Sequence, residues 1–516
     1  MRRGGCTAPP RRRRRRKGAR GREGAPQFVV HETEEAALLL VPAAGEEGAR
    51  GPRKKRRVAG GEAAKGEAAG GVPAPDSGWG ARLPAELLVR VFGLAVAAEG
   101  GSVPFLCRAA RVCRLWYRAA SAPVLWRKVA VGHCWAPPGQ KWPPALQKRA
   151  LGTLEWLAAR RFSHLRDFTL SHWRSHVPPV LQAIVGSCAL LSSLRLSHCS
   201  GITTQALCLV AESCPWLVSL NLQGSQVDPW AVTSFLEVAG MRMQQLSLTY
   251  SSRMSAIIAL LVGGCCPDLQ LLEVNAEIKQ STQHFQLPIE QLQAASPQLQ
   301  VLRLLNVTYY PKLLPSSSPP SLGFPQLEEL CLATTAFSFV DDNMLRRILC
   351  TSSRLRVLDL RGCFRVTPKG LEQLPCPDLE QLYLGLHYSA SHLSRPLEGS
   401  PLLTWKWRHS LRELDLAGQS FSEQDLERAM AAFIQGGGDG GAPVLCSLSL
   451  TGTKVALSTV SALIASCPAL AYLNLSSCRH LPRGTKKAYR GPDEVRQCLH
   501  QLLTSLEEQD RLGGAA

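Results

Sequence analysis

Twelve times between Leu165 and Leu475 the chain repeats one spacing: an apolar residue, two variable residues, an apolar residue, one variable residue and a third apolar residue. The units open at Leu165, Leu191, Leu217, Met243, Leu269, Leu299, Leu327, Leu355, Leu379, Leu411, Leu445 and Leu470. Successive openings lie 26, 26, 26, 26, 30, 28, 28, 24, 32, 34 and 25 residues apart. A unit this short cannot bury its own apolar face, so the units must stack. In Leu191-Ser-Ser-Leu194-Arg-Leu196 the period of two sends Leu194 and Leu196 to one face and Ser193, Arg195 and Ser197 to the other. Each unit thus supplies one short strand and one returning helical segment. Stacked in order, they predict an α/β solenoid: a long parallel sheet with helices outside it. Each inward side chain of the pairs Phe168/Leu170, Leu220/Leu222, Leu358/Leu360, Leu414/Leu416 and Leu473/Leu475 contributes roughly 1.5–3 kcal/mol on burial. The outward residues form the wall on which repeat proteins usually hold partners.

The cysteines keep the same phase. Cys188, Cys214, Cys266, Cys376 and Cys467 each stand three residues before a unit opens, and Cys199, Cys363 and Cys478 each stand eight after one. Eight of the 18 cysteines at two fixed phases read as small buried residues, not as chemistry. No zinc-ligand spacing recurs, so neither a metal nor any other cofactor is expected. The longest apolar runs, near Val91 and Ala256, are too short to cross a bilayer, and no signal peptide is visible, so no membrane partner is expected. That favours a reducing compartment, the nucleus and/or the cytoplasm, with the thiols free.

These cysteine phases resemble the cysteine-containing subtype of leucine-rich repeat. Cys188-Ala-Leu-Leu191 through Cys199-Ser-Gly-Ile202-Thr203 to Leu207 matches it, as does Arg361-Gly-Cys363-Phe-Arg-Val366-Thr367 through Leu371. The resemblance implies a leucine-rich-repeat horseshoe.

Ahead of the repeats, Leu83-Pro84-Ala-Glu86-Leu87-Leu88-Val-Arg-Val91-Phe92 reads as a helix. Pro84 suits its first turn and Glu86 its positive end. Leu83, Leu87, Val91 and Leu94 share a stripe that Leu88 and Phe92 widen. Ala110-Arg-Val112-Cys113-Arg-Leu115-Trp116 and Ala122-Pro-Val-Leu125-Trp126-Arg127 follow as further apolar-faced blocks. Three short helices in so few residues are marginal alone and gain from a partner. From Leu83 to Arg127 the block resembles the F-box, with a longer first connection at Ala97-Ala-Glu-Gly-Gly-Ser-Val-Pro-Phe105 that lacks the usual aspartate-leucine pair.

An F-box before cysteine-type repeats is the layout of the F-box/leucine-rich-repeat family. That resemblance implies a Skp-type adaptor on the F-box, a cullin and RING subunit reached through the adaptor, and a protein substrate, unidentified, held by the repeats for ubiquitination. Family members are receptors without catalysis of their own. Carried over by position, the adaptor-contacting residues are Leu83, Pro84, Leu87, Leu88, Val91, Phe92, Val112, Cys113, Trp116, Leu125 and Trp126. About half of these are expected to form the core of the three helices. Leu83, Pro84 and Leu88 are read as surface anchors and Trp116 as core or shared.

The expected domains are a disordered basic tail at 1–76, the F-box at 77–130, a helical linker at 131–164 carrying Trp142, Leu154, Trp156 and Leu157, the solenoid at 165–480, and a C-terminal cap and tail at 481–516. The tail holds 18 Lys+Arg against 9 Asp+Glu with almost no aromatic residue, which favours disorder. Its run Arg53-Lys54-Lys55-Arg56-Arg57 reads as a nuclear signal. No nucleic-acid module accompanies it, so nucleic acid is not the expected partner.

Insertions at 309–325, 386–409 and 435–443 stretch the repeat. Trp405 and Trp407 in the second read either as partner anchors or as a repeat cap. Among outward positions, Glu329, Asp359, Glu413 and Asp415 make an acidic strip suited to a basic patch on a substrate, against a plainly solvated wall. Val495, Leu499, Leu502 and Leu503 at helical spacing suggest a capping helix. No phosphate loop, nucleophile elbow or HExxH occurs, so an enzyme is not expected. A leucine-rich-repeat scaffold, or an F-box protein acting outside degradation, are the competing readings.

Overall fold

The computed structural model describes residues 28–32, 38–42, 83–98, 102–132, 144–251, 253–276, 284–309, 322–335, 337–386, 398–435 and 443–513. The chain divides into two compact units, Met1–Ser77 and Gly78–Ala516. In the first, Phe28–Glu32 pairs antiparallel with Leu38–Pro42, two strands inside the segment expected to be disordered. Both are short apolar runs, Phe-Val-Val and Leu-Leu-Leu-Val, of a kind that pairs locally. The basic runs, Arg53 to Arg57 among them, lie outside the described residues.

In the second unit, the principal sheet holds, among the described residues, fourteen strands in strict chain order, from Lys128–Val131 to Ala488–Arg490. All neighbours are parallel except the last pair, where Ala488–Arg490 runs antiparallel to Tyr472–Asn474. The twelve repeats each give one strand, starting two residues after the unit opens. Their register sets one continuous row across the sheet: Val129, Phe168, Leu194, Leu220, Leu246, Leu272, Leu302, Leu330, Leu358, Leu382, Leu414, Leu448, Leu473 and Tyr489. No member of the row is more than 2% exposed. A one-residue slip in any strand would turn its leucine outward, so this row fixes the register.

The two flanking strands are absent from the repeat pattern. Val129 and Val131 alternate within Lys128–Val131, and this strand falls where the F-box was expected to end. Ala488–Arg490 closes the open end before the helix Pro492–Gly513, whose Val495, Cys498 and Leu502 are buried and Leu503 exposed. The linker region is the helix Pro144–Arg161, with Leu154 and Leu157 buried and Trp156 exposed; Trp142 lies outside the described residues. Tyr309, the first residue of the insertion expected at 309–325, lies in the strand Thr308–Tyr309, which pairs with His284–Phe285, and its hydroxyl donates to the Leu287 carbonyl at 3.2 Å.

All eight phased cysteines are buried. At the phase eight residues into a unit, the side chain reaches back to the carbonyl of the preceding unit's last inward leucine. The thiols of Cys199, Cys363 and Cys478 point to Leu170, Leu332 and Leu450 at 3.4, 3.5 and 3.1 Å. Ser225 does the same to Leu196. Short neutral donors at this phase give a donor to buried strand-end carbonyls, and the Leu450 carbonyl accepts from the Thr453 amide and hydroxyl as well. One phase earlier, His172, His198 and Gly224, each 26 residues apart, have φ of 61°, 53° and 68°. The two imidazoles stack at 4.7 Å, and a Cβ on Gly224 would lie 2.3 Å from His198 Nδ1, so the third position excludes a side chain.

Candidate functional site

Two surfaces concentrate the residues singled out by the sequence: the helical module after Leu83 and the outward face of the sheet. The module consists of α1 (Ala85–Ala98), α2 (Ser102–Ala109) and α3 (Arg114–Ala120), followed by a 3-10 turn at Pro123–Trp126. Leu88 and Phe92 face inward, where the Phe92 ring meets Phe105 at 5.7 Å and Trp116 at 5.1 Å, both edge-on. Cys113 caps α3, its sulfur accepting from the Trp116 amide at 3.5 Å. Trp126 donates from Nε1 to the Ala120 carbonyl at 2.8 Å, which ties the turn to α3.

α1 is apolar on its other side as well. Leu87, Val91 and Leu94 are 48%, 54% and 69% exposed, spaced four and three residues apart on one face. Val112, ahead of α3, is 62% exposed. The eleven adaptor candidates therefore separate. Pro84, Leu87, Val91, Val112 and Cys113 are exposed, Leu83 and Trp116 are half-buried, and Leu88, Phe92, Leu125 and Trp126 are buried. Leu88, expected as a surface anchor, is core because it sits one turn before Phe92 on the face that meets Trp116. Leu94 was not among the candidates, although its helical spacing from Leu87 and Val91 places it on their stripe.

On the sheet, the acidic strip is largely matched from within. Arg303 holds Glu329 with two bonds, Nε to Oε1 at 2.6 Å and a terminal nitrogen to Oε2 at 2.8 Å, and reaches Glu273 at 3.4 Å. Gln223 donates to the same Glu273. Burial pushes the Glu273 carboxyl above the ordinary range, and Arg303 pulls against it. Arg361 grips Asp359 through Nε at 2.9 Å and a terminal nitrogen at 2.6 Å, while the Cys331 thiol donates to Asp359 at 3.3 Å. Burial opposes the charge on Arg361, yet Asp359 keeps its pKa above the usual value. The Tyr383 hydroxyl donates to Glu413 at 2.6 Å, and the Arg361 guanidinium stands 5.4 Å over the Tyr383 ring. Asp415 accepts from the Ala417 amide at 2.9 Å and has its pKa raised by burial. Of the four strip residues, Glu329 and Asp359 thus already carry an arginine of this chain. Outward spacing places Arg303 one strand before Glu329 and Arg361 two residues after Asp359, but only the structure shows that each arginine closes on its carboxylate.

Trp405 and Trp407 lie on the helix Ser400–Trp407 and part company. Trp407 is fully buried and donates to the Cys376 carbonyl at 2.9 Å. Trp405 is 38% exposed, with Arg408 5.3 Å over its ring, and lines a shallow depression with Glu372, Pro401 and Leu402. Lys406 is spent on the Leu371 and Leu374 carbonyls at 3.3 and 2.7 Å. An aromatic cluster that the sequence reading missed, Phe337, Phe339 and Phe364, surrounds Arg365 at 5.0, 5.6 and 5.9 Å. Among the described residues no three His, Cys, Asp or Glu side chains are placed to hold a metal ion, and no helix is long and apolar enough to cross a membrane.

An all-α module leading into a parallel-stranded α/β solenoid-like array is the class of chain these features define. Residues 81–131 match the family model described as F-box-like, so the chain carries an F-box-like domain there. A solved structure, the crystal structure of the Rad7 and Elc1 complex in yeast, aligns at 15% identity over 83% of this chain and 87% of that chain, with a TM-score of 0.35.

Proposed function

We propose that this chain is the substrate-recognition subunit of a Skp–cullin–F-box type ubiquitin ligase. The F-box-like domain binds a Skp-type adaptor, cullin and RING subunit join through it, and a leucine-rich-repeat horseshoe presents the substrate for ubiquitination. The chain itself performs no catalysis and acts in the nucleus and/or the cytoplasm. The observation that carries this reading is the exposed stripe Leu87, Val91 and Leu94 on a helix whose opposite face is already packed. An apolar stripe left outside a completed core is a surface that gains from a partner, since fully burying a Val or Leu side chain contributes roughly 1.5–3 kcal/mol. The repeats supply the second half of the reading, because their sheet is long and its outward side chains are polar, as at Arg195, Ser219, Gln245 and Glu413.

The test is co-purification of the full chain with the adaptor and cullin, beside Leu87→Glu/Val91→Glu. Both positions are exposed, so the variant keeps its fold by circular dichroism. Recovery of adaptor and cullin by the wild type and their loss in the variant is the expected result. A wild type that recovers no adaptor sinks the ligase reading and leaves a repeat scaffold in its place.

A further inference from the structure

Beyond the apolar stripe, the first part of the second unit carries a concentration of positive charge. Among the described residues from 83 to 132 there are seven Lys and Arg and one carboxylate, Glu86. On α3, Arg114, Tyr117 and Arg118 share one face at spacings of three and four, and all three are exposed. On α4 (Pro144–Arg161), Trp156 and Arg160 share a face at a spacing of four, also exposed. Arg161 joins the two helices. Its guanidinium lies 5.1 Å from the Tyr117 ring and 5.9 Å from the Trp156 ring, and Arg160 lies 5.2 Å from Trp156. The result is an ordered succession of ring and guanidinium: Tyr117, Arg161, Trp156, Arg160.

Among the described residues no carboxylate pairs with Arg114, Arg118, Arg160 or Arg161, and the nearest acidic residue in sequence is Glu155, exposed one position off the Trp156 face. This differs from the sheet, where Arg303 and Arg361 are both consumed by carboxylates. A guanidinium held over an aromatic ring loses little of its hydrogen-bonding edge, which remains a planar fork for an oxyanion. Each ring already has a guanidinium against it, two in the case of Trp156, which leaves less ring face for unpaired bases to stack on than an open aromatic platform would. What the surface presents outward is N–H donors on a half-exposed aromatic base.

We propose that the Arg114–Tyr117–Arg118 face of α3 and the Trp156–Arg160–Arg161 end of α4 form a docking surface for a carboxylate-rich segment of a protein partner. It lies on residues separate from the Leu87–Val91–Leu94 stripe and does not depend on what binds there. Charge complementarity supplies attraction and orientation, and the flanking rings supply contact area.

The experiment uses the full chain with the basic runs Arg11 to Lys17 and Arg53 to Arg57 changed to glutamine, so that the tail does not dominate. The probe is a fluorescein-labelled polyglutamate peptide at low ionic strength, followed by anisotropy, with single-stranded polyuridylate as competitor. Arg118→Glu/Arg160→Glu is expected to weaken polyglutamate binding by roughly tenfold or more, with unchanged melting temperature and unchanged adaptor recovery. Tyr117→Ala/Trp156→Ala is expected to weaken it less, since the fork donors stay in place. Equal polyglutamate binding by the parent and Arg118→Glu/Arg160→Glu overturns the proposal. So does tighter binding of polyuridylate than of polyglutamate with the same sensitivity to that variant, which would make the surface a nucleic-acid site.

Discussion

Replacing Arg303 by methionine should be among the most destabilising single changes on the outward face of the sheet. Its side chain is 9% exposed, and it stands between Glu273, also 9% exposed, and Glu329, 21% exposed. Methionine keeps most of the packing volume but leaves two carboxylates facing each other with no cation. Breaking a buried pair by removing one partner costs about 3–5 kcal/mol, well above the effect of an exposed pair. The sign of the pH dependence follows from Glu273. Its carboxyl already titrates above the ordinary range because burial outweighs Arg303. A folded-state pKa above the unfolded one gives stability that is intact below the unfolded pKa and is lost as pH rises through the folded value. Without Arg303 the folded pKa climbs further, so the gap between variant and wild type should be widest at about pH 7 and narrow toward about pH 4–5. Urea unfolding at both pH values, with Arg303→Met/Glu273→Gln alongside, measures this. The double variant should recover most of the loss at neutral pH, since one of the two facing charges is gone. An Arg303→Met chain within about 1 kcal/mol of wild type at neutral pH, or a deficit that does not change with pH, would refute the reasoning.

Thiol labelling should separate the cysteines by burial. Burial raises the pKa of Cys188 and Cys363 to about 12, so under native conditions they hold almost no thiolate and should resist iodoacetamide, whereas exposed Cys113 and Cys350 should react. Mass spectrometry of the labelled chain reads this out, and rapid native labelling of Cys363 would contradict its placement. For the tryptophans, Trp407→Ala should cost about 3–5 kcal/mol by leaving a large cavity and an unpartnered Cys376 carbonyl. Trp405→Ala should stay within about 0.5 kcal/mol, and comparable losses at the two positions would mean the helix Ser400–Trp407 is seated differently.

The repeats were legible because each unit states the same geometric demand. Leu194, Leu220 and Leu246 can sit opposite one another only in one parallel register, and twelve statements of that demand leave no alternative. The strands Lys128–Val131 and Ala488–Arg490 were not legible, since neither carries the full unit and each is defined by the neighbour it covers. In the helical module, periodicity placed α1 but did not say which of its two apolar stripes faces inward. That choice is marked by Phe92, whose ring packs on Phe105 and Trp116. The pairing of charges on the sheet was not legible for a similar reason. A carboxylate at an outward position looks free in sequence, and its partner lies on another strand, 26 residues away in the case of Arg303 and Glu329.

The strand Lys128–Val131 also changes what the module can do. The F-box-like match runs to residue 131, so its last residues are the first strand of the sheet. Val129 stands at the head of the leucine row beside Phe168, and Trp126 packs against Phe162 at 5.8 Å between ring centres. Leu88, Phe92, Trp126, Val129 and the repeat leucines belong to one continuous apolar cluster. A hinge at this point would have to open that cluster and expose several fully buried side chains, each worth roughly 1.5–3 kcal/mol. Thermal motion does not supply that, so the module and the first repeats move as one body. Under the proposed function, a partner seated on Leu87, Val91 and Leu94 would therefore be held at a fixed distance and angle from a substrate on the first repeats. With a flexible linker, reach would be set by linker length; here the relative placement of module and first repeats is set by the packing of Trp126 and Val129.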